Sequence, residues 1–159
     1  MSLPKLIQQL TEVYSGSPWY GDSVRQKLDS ILPEAAFHKT LPDIHSIAEI
    51  VAHMTVWRQA IVEWIRGNED YQVPLDSEAD WNRYETLQAM GWERLRADLD
   101  RTQQELISLL QTRTDAFLQE TIGPKKYTFG FMLDGIIQHD IYHLGQIGLL
   151  LRLQAGDKP

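Results

Sequence analysis

The stretch Gln138-His139-Asp140-Ile141-Tyr142-His143-Leu144-Gly145-Gln146-Ile147 decides how this chain is read. It lies in a long helical segment, Thr128 to Leu153. The apolar stripe there runs through Met132, Ile136, Ile147 and Leu150, with Leu133, Ile137, Leu144 and Leu151 on its flank. His139 and His143 fall on that stripe, where a bundle helix otherwise carries Leu or Ile. Residues four apart on a helix point to one side, one turn above the other, which is how a helix offers two imidazoles to one metal ion. The spacing alone is a weak signal. The position on a buried face is a stronger one, because an imidazole there costs free energy unless each nitrogen finds a partner. From this helix alone two readings stay open: core histidines satisfied by hydrogen bonds, and a pair of metal ligands.

Outward from that segment, periodicity favours helix throughout. A first helical stretch begins near Pro4 (Leu6, Ile7, Leu10, Val13, Tyr14), breaks at Ser15-Gly16-Ser17-Pro18, and resumes around Asp22 with Val24, Leu28, Ile31 and Leu32. Pro33 to Pro42 reads as a connector. Ser46-Ile47-Ala48-Glu49 matches a capping box and predicts a second helix through Ile50, Val51, Met54, Trp57, Ile61 and Trp64 to a stop at Gly67. After a polar loop, Asn68 to Asp76, a third helix is expected from near Ser77, carrying Trp81, Tyr84, Trp92, Leu95, Leu99, Leu106 and Leu110. Thr112 to Tyr127, containing Gly123-Pro124, forms the second long connection, and Thr128 caps the fourth helix. No segment alternates strictly enough to read as a strand. Four long amphipathic helices predict an all-α four-helix bundle, with residues 1–159 as a single domain.

Composition narrows the function classes. The chain has 159 residues, 43% apolar and 23% charged, as soluble globular proteins do. A formal charge of -7, with the Lys125-Lys126 pair too short to form a basic patch, sets nucleic acid aside as a partner. Cysteine is absent, so a disulfide framework, a thiolate nucleophile and a Cys-based zinc site are excluded, and any metal must use His, Asp or Glu. The sequence shows neither a signal-peptide pattern nor an apolar run of membrane-spanning length, which gives no membrane partner and a cytoplasmic location as expectations.

A metal site needs more than a pair, and His53 is the natural third ligand. It lies in the second helix between Ile50 and Trp57 on an otherwise apolar face. His38 sits in a connector and His45 just before the Ser46 cap, a staple or rim position. Ser46-Ile47-Ala48-Glu49-Ile50-Val51-Ala52-His53, followed downstream by Tyr127-Thr128 and then His139-x-x-x-His143-Leu144-Gly145-Gln146-Ile147, resembles the DinB/YfiT-like superfamily in order and spacing. That resemblance implies an up-down-down-up four-helix bundle, often homodimeric, with His53, His139 and His143 holding a divalent metal. It further implies a metal-dependent enzyme that transfers a low-molecular-weight thiol, of the bacillithiol or mycothiol type, to an electrophile.

Three neutral imidazoles leave coordination positions open, the pattern of catalytic rather than structural zinc. Zinc or nickel fits the ligand type best, with iron and manganese as further candidates. Three residues are candidates for catalytic roles. Asp140 is placed either as an acceptor for an imidazole N–H or as a charge on the helix flank. Glu49, one turn before His53, is a candidate base as well as the capping-box residue, and Gln146, three after His143, is a candidate to orient a ligand. Tyr142 and Tyr127 are possible pocket donors. His139-Asp140-x-x-His143 also differs from the zincin HExxH motif only by Asp for Glu, but the shorter side chain and an upstream third ligand argue against a peptidase. A non-catalytic metal-binding or stress-associated bundle is the alternative to the enzyme, with a metal-dependent hydrolase behind both.

Overall fold

A computed structural model describes residues 2–122 and 127–156, so the Gly123-Pro124 breaker and the Lys125-Lys126 pair lie outside the described residues. The helices are α1 (Leu3–Ser15), α2 (Val24–Asp29), α3 (Pro33–Phe37), α4 (Ile47–Ile65), α5 (Tyr84–Met90), α6 (Trp92–Gln111) and α7 (Phe129–Gly156), with a 3₁₀ turn at Asp115–Gln119. Among the described residues β pairing is confined to an isolated antiparallel bridge, Thr121 to Thr128. No described helix is long and apolar enough to cross a membrane. The four long helices form the bundle: α4 packs along α6 and α7, and α1 packs along the same two.

The cap signals act as the sequence predicts. The Ser46 hydroxyl accepts the Glu49 N–H, while Glu49 Oε2 accepts the Ser46 N–H at 2.7 Å. Two otherwise unpaired N–H groups at the start of the helix are thereby satisfied. At the far end, Gly67 turns the chain at φ 89°, a conformation that L side chains rarely adopt. Between these ends α4 is buried nearly all round (Ile47, Val51, Met54, Ile61, Val62 and Trp64 among others), as expected of a bundle's central helix. The Thr128 hydroxyl accepts the Phe131 N–H at 3.2 Å and opens α7.

The third helix departs from expectation. It is not continuous from Ser77: residues up to Arg83 form turns, α5 covers Tyr84–Met90, and Gly91 at φ 81° breaks the chain before α6. Helical periodicity runs through this break because Leu87, Trp92 and Leu95 all face the core, although the backbone between them is not helical. Similarly, the Pro33 to Pro42 connector contains the short α3, started by Pro33 at its first position.

At the middle of the bundle lies an ion pair. Arg58 of α4 donates to Asp140 of α7, and both are buried, at 0% and 2% exposure. The Arg58 guanidinium also sits 5.0 Å from the Tyr14 ring of α1, whose hydroxyl donates to Asp100 of α6 at 3.1 Å. Tyr14 thus ties α1 to the pair that joins α4 and α7, and its hydroxyl ties α1 in turn to α6. Burial pushes the Asp140 carboxyl up, against the pull of Arg58. Removing one partner strands the other charge, so Arg58→Met should cost about 3–5 kcal/mol, and adding Asp140→Leu should restore most of it. Urea denaturation of the two variants checks this, and equal stability of single and double variants would contradict it.

Candidate metal centre

α4 brings His53, and α7 brings His139 and His143, to a common point. Their ligand atoms lie within 4.8 Å of one another. His139 Nε2 is 3.1 Å from His53 Nε2 and 3.1 Å from His143 Nε2. Nitrogens held at about 2.0–2.1 Å from one ion lie about 3.3 Å apart in a tetrahedron and about 2.9 Å apart at adjacent octahedral positions. The observed separations fall within that range.

The outer nitrogens fix the tautomers. His53 Nδ1 faces two acceptors, the Asp80 carboxylate at 2.9 Å and the Asp80 carbonyl at 3.2 Å, so it carries the proton. His143 Nδ1 faces Gln146 Oε1 at 2.7 Å and carries one too. Both inward Nε2 atoms are therefore lone pairs, and both are aimed at His139 Nε2. A proton on His139 Nε2 can satisfy only one of them, leaving the other lone pair against a donor already used. A cation at the centre satisfies all three, so the donor set fits a divalent metal. His139 Nδ1, the remaining ring nitrogen, is buried without a hydrogen-bond partner.

Protons compete weakly for these atoms. Burial first, then the neighbouring imidazoles, push His139 down to about 3. Burial pushes His143 down to about 4, against its bond to Gln146. Burial also lowers His53, although Asp80 pulls it back. Near neutral pH the three imidazoles are thus uncharged, the state in which imidazole binds metal.

The loop that the sequence assigned to the third helix supplies the surrounding shell. Asp80 is 2% exposed and held rigidly: Oδ1 accepts from Trp57 Nε1 at 2.8 Å, and Oδ2 accepts the Asp76 N–H at 3.0 Å. Trp81 inserts between two histidines, stacked on His53 at 3.9 Å and on His45 at 3.7 Å between ring centroids. A cavity of about 550 Å³ opens beside the cluster, lined by Ile44, His45, Trp81, Tyr142 and Leu149 as well as the three histidines.

The other candidate residues are placed as follows. Gln146 bonds His143 and touches the cavity. Glu49 is occupied by Ser46 and by Lys39 Nζ at 2.6 Å, with His45 at 3.6 Å. Asp140 faces Arg58 on the core side of α7, neither on an imidazole nor on the helix flank. The carboxylate against an imidazole N–H is Asp80. Sequence reasoning missed Asp80, Trp81 and Arg58. The available signal was a buried-type Asp-Trp pair in an otherwise polar loop, masked by its fit to the helical period.

If Asp80 orients His53 and raises its basicity, Asp80→Asn should weaken metal affinity about 10–100-fold with helicity retained. A competition titration with a chromophoric chelator measures this, and a change under about two-fold would show that Asp80 is only a structural acceptor.

Comparison with solved structures finds the crystal structure of the colibactin self-resistance protein ClbS in complex with a dsDNA. The two share 21% sequence identity and a TM-score of 0.69, covering 95% of this chain and 96% of that one. No curated protein matches the chain. The ClbS complex corrects the exclusion of nucleic acid drawn above from the charge balance: a protein of this fold is found on dsDNA. Net charge sums over the whole surface, whereas a duplex reads only the patch it touches. The family model of the DinB superfamily matches residues 22–147, from the start of α2 to beyond His143 and Gln146, and this chain belongs to that superfamily.

Proposed function

We propose that this chain is a metal-dependent enzyme that uses a low-molecular-weight thiol against an electrophile. The observation that carries the reading is the convergence of three imidazole lone pairs beside an open apolar cavity. His53, His139 and His143 would hold the ion, and zinc or nickel suits the all-imidazole set. When bound, the ion would supply Lewis acidity and keep a thiol in its nucleophilic thiolate form. The chain's own residues do the rest. Asp80 and Gln146 keep the ligand nitrogens facing inward. Ile44, Ile50, Leu149 and Leu150 give the cavity apolar walls beside the place the sulfur would take. Because the chain has no cysteine, the sulfur must arrive with the cosubstrate. The cavity favours this reading over a purely structural ion, since structural sites fill every position with protein ligands.

The test is elemental analysis of untagged protein, alongside thiol-transfer assays on a model electrophile such as monochlorobimane. About one ion per chain is expected, lost in His53→Ala and His143→Ala together with metal-dependent transfer. Full metal content in His53→Ala, or transfer indifferent to chelation, would contradict the proposal.

A second reading, binding of duplex DNA, is favoured by the complex of ClbS, whose fold the chain shares along nearly its whole length. It is tested by fluorescence anisotropy with a labelled duplex at 50 and 200 mM salt. DNA binding predicts a complex that weakens steeply across that range. Flat anisotropy at the lower salt would dismiss it.

A further inference from the structure

The hydrogen bonds behind His143 have a fixed direction once its Nε2 is given to the metal. Its Nδ1–H then donates to Gln146 Oε1 at 2.7 Å. The amide is thereby oriented, and its Nε2–H donates to the Tyr142 hydroxyl oxygen at 2.9 Å. The reverse orientation would need a proton on His143 Nε2, aimed at the centre of the cluster. Tyr142 thus accepts from the protein and keeps its own O–H for something else. The residue is 63% exposed and lines the cavity beside the cluster, with its ring set edge-on to His143 at 5.0 Å.

We propose that Tyr142 is a binding residue whose O–H donates to an oxygen acceptor, a carboxylate or carbonyl, on the thiol cosubstrate while its sulfur sits at the three histidines. This rests on the metal and thiol readings proposed above. The directional relay makes the donor stronger than an isolated phenol, because Gln146 polarises the hydroxyl it donates to. It also sets a selection rule. A thiol with an oxygen acceptor near its sulfur gains a bond that a plain alkyl thiol lacks, in a cavity whose walls are mostly apolar.

The test uses cobalt-loaded protein, whose visible spectrum reports sulfur binding, with mercaptoacetate and ethanethiol as probes. Tyr142→Phe should keep its cobalt, lose about ten-fold or more in affinity for mercaptoacetate, and bind ethanethiol within about two-fold of the parent. Equal loss for both probes, or loss for neither, would overturn the role of Tyr142 and leave the metal centre standing. Failure of the parent to take up cobalt would overturn the metal reading and this inference with it.

Discussion

The buried pair of Arg58 and Asp140 is the constraint on which the site depends. It joins α4 to α7 at the bundle centre, five residues after His53 on one helix and one residue after His139 on the other. Apolar side chains of similar volume exchange for one another at modest cost, so packing alone discriminates less sharply between neighbouring arrangements. A desolvated ion pair discriminates more sharply, since a shift that parts the charges leaves both uncompensated in a low-dielectric core. Arg58 and Asp140 thus tie α4 to α7 beside the level at which imidazoles from the two helices meet. The cation–π contact with Tyr14, and through it Asp100, extends the same constraint to α1 and α6.

At that level the chemistry is arranged in layers. The inner nitrogens of three neutral rings face one point, and the outer nitrogens of two of them are held by Asp80 and Gln146. Trp81 covers the cluster on one side, and the cavity opens on another. A site with fixed donors and an open approach is suited to binding a cosubstrate rather than to stapling the fold. The ion pair itself is poor value as a stabiliser, given its desolvation, so a positional role explains its presence better than a contribution to stability.

Much of this was legible in the sequence, and the rest was hidden for identifiable reasons. The i, i+4 histidines, the capping box at Ser46 and the helical period of α4 and α7 are local signals, and each appears where the residues place it. The four-helix architecture follows from them. The break at Gly91 escaped because core-facing residues on either side keep a helical spacing across a non-helical turn. Asp80 escaped because its partner, His53, is 27 residues away, and no periodicity links a loop carboxylate to a ring in another element. Asp140 was legible as a polar residue beside the ligands, but its partner Arg58 lies 82 residues upstream and could only be found in space. The acidic net charge misled in the opposite way, since a whole-chain sum says little about one face.

X-ray absorption spectroscopy of the zinc- or nickel-loaded protein would read the first shell of the ion. Three imidazole nitrogens at about 2.0–2.1 Å, with the remaining scatterers light atoms in the free protein and one sulfur after a thiol is added, are the expected result. A first shell of oxygen alone would place the ion away from the three histidines, and one in which an added thiol never appears would close the site to the proposed cosubstrate; either result contradicts a thiol-binding centre at His53, His139 and His143.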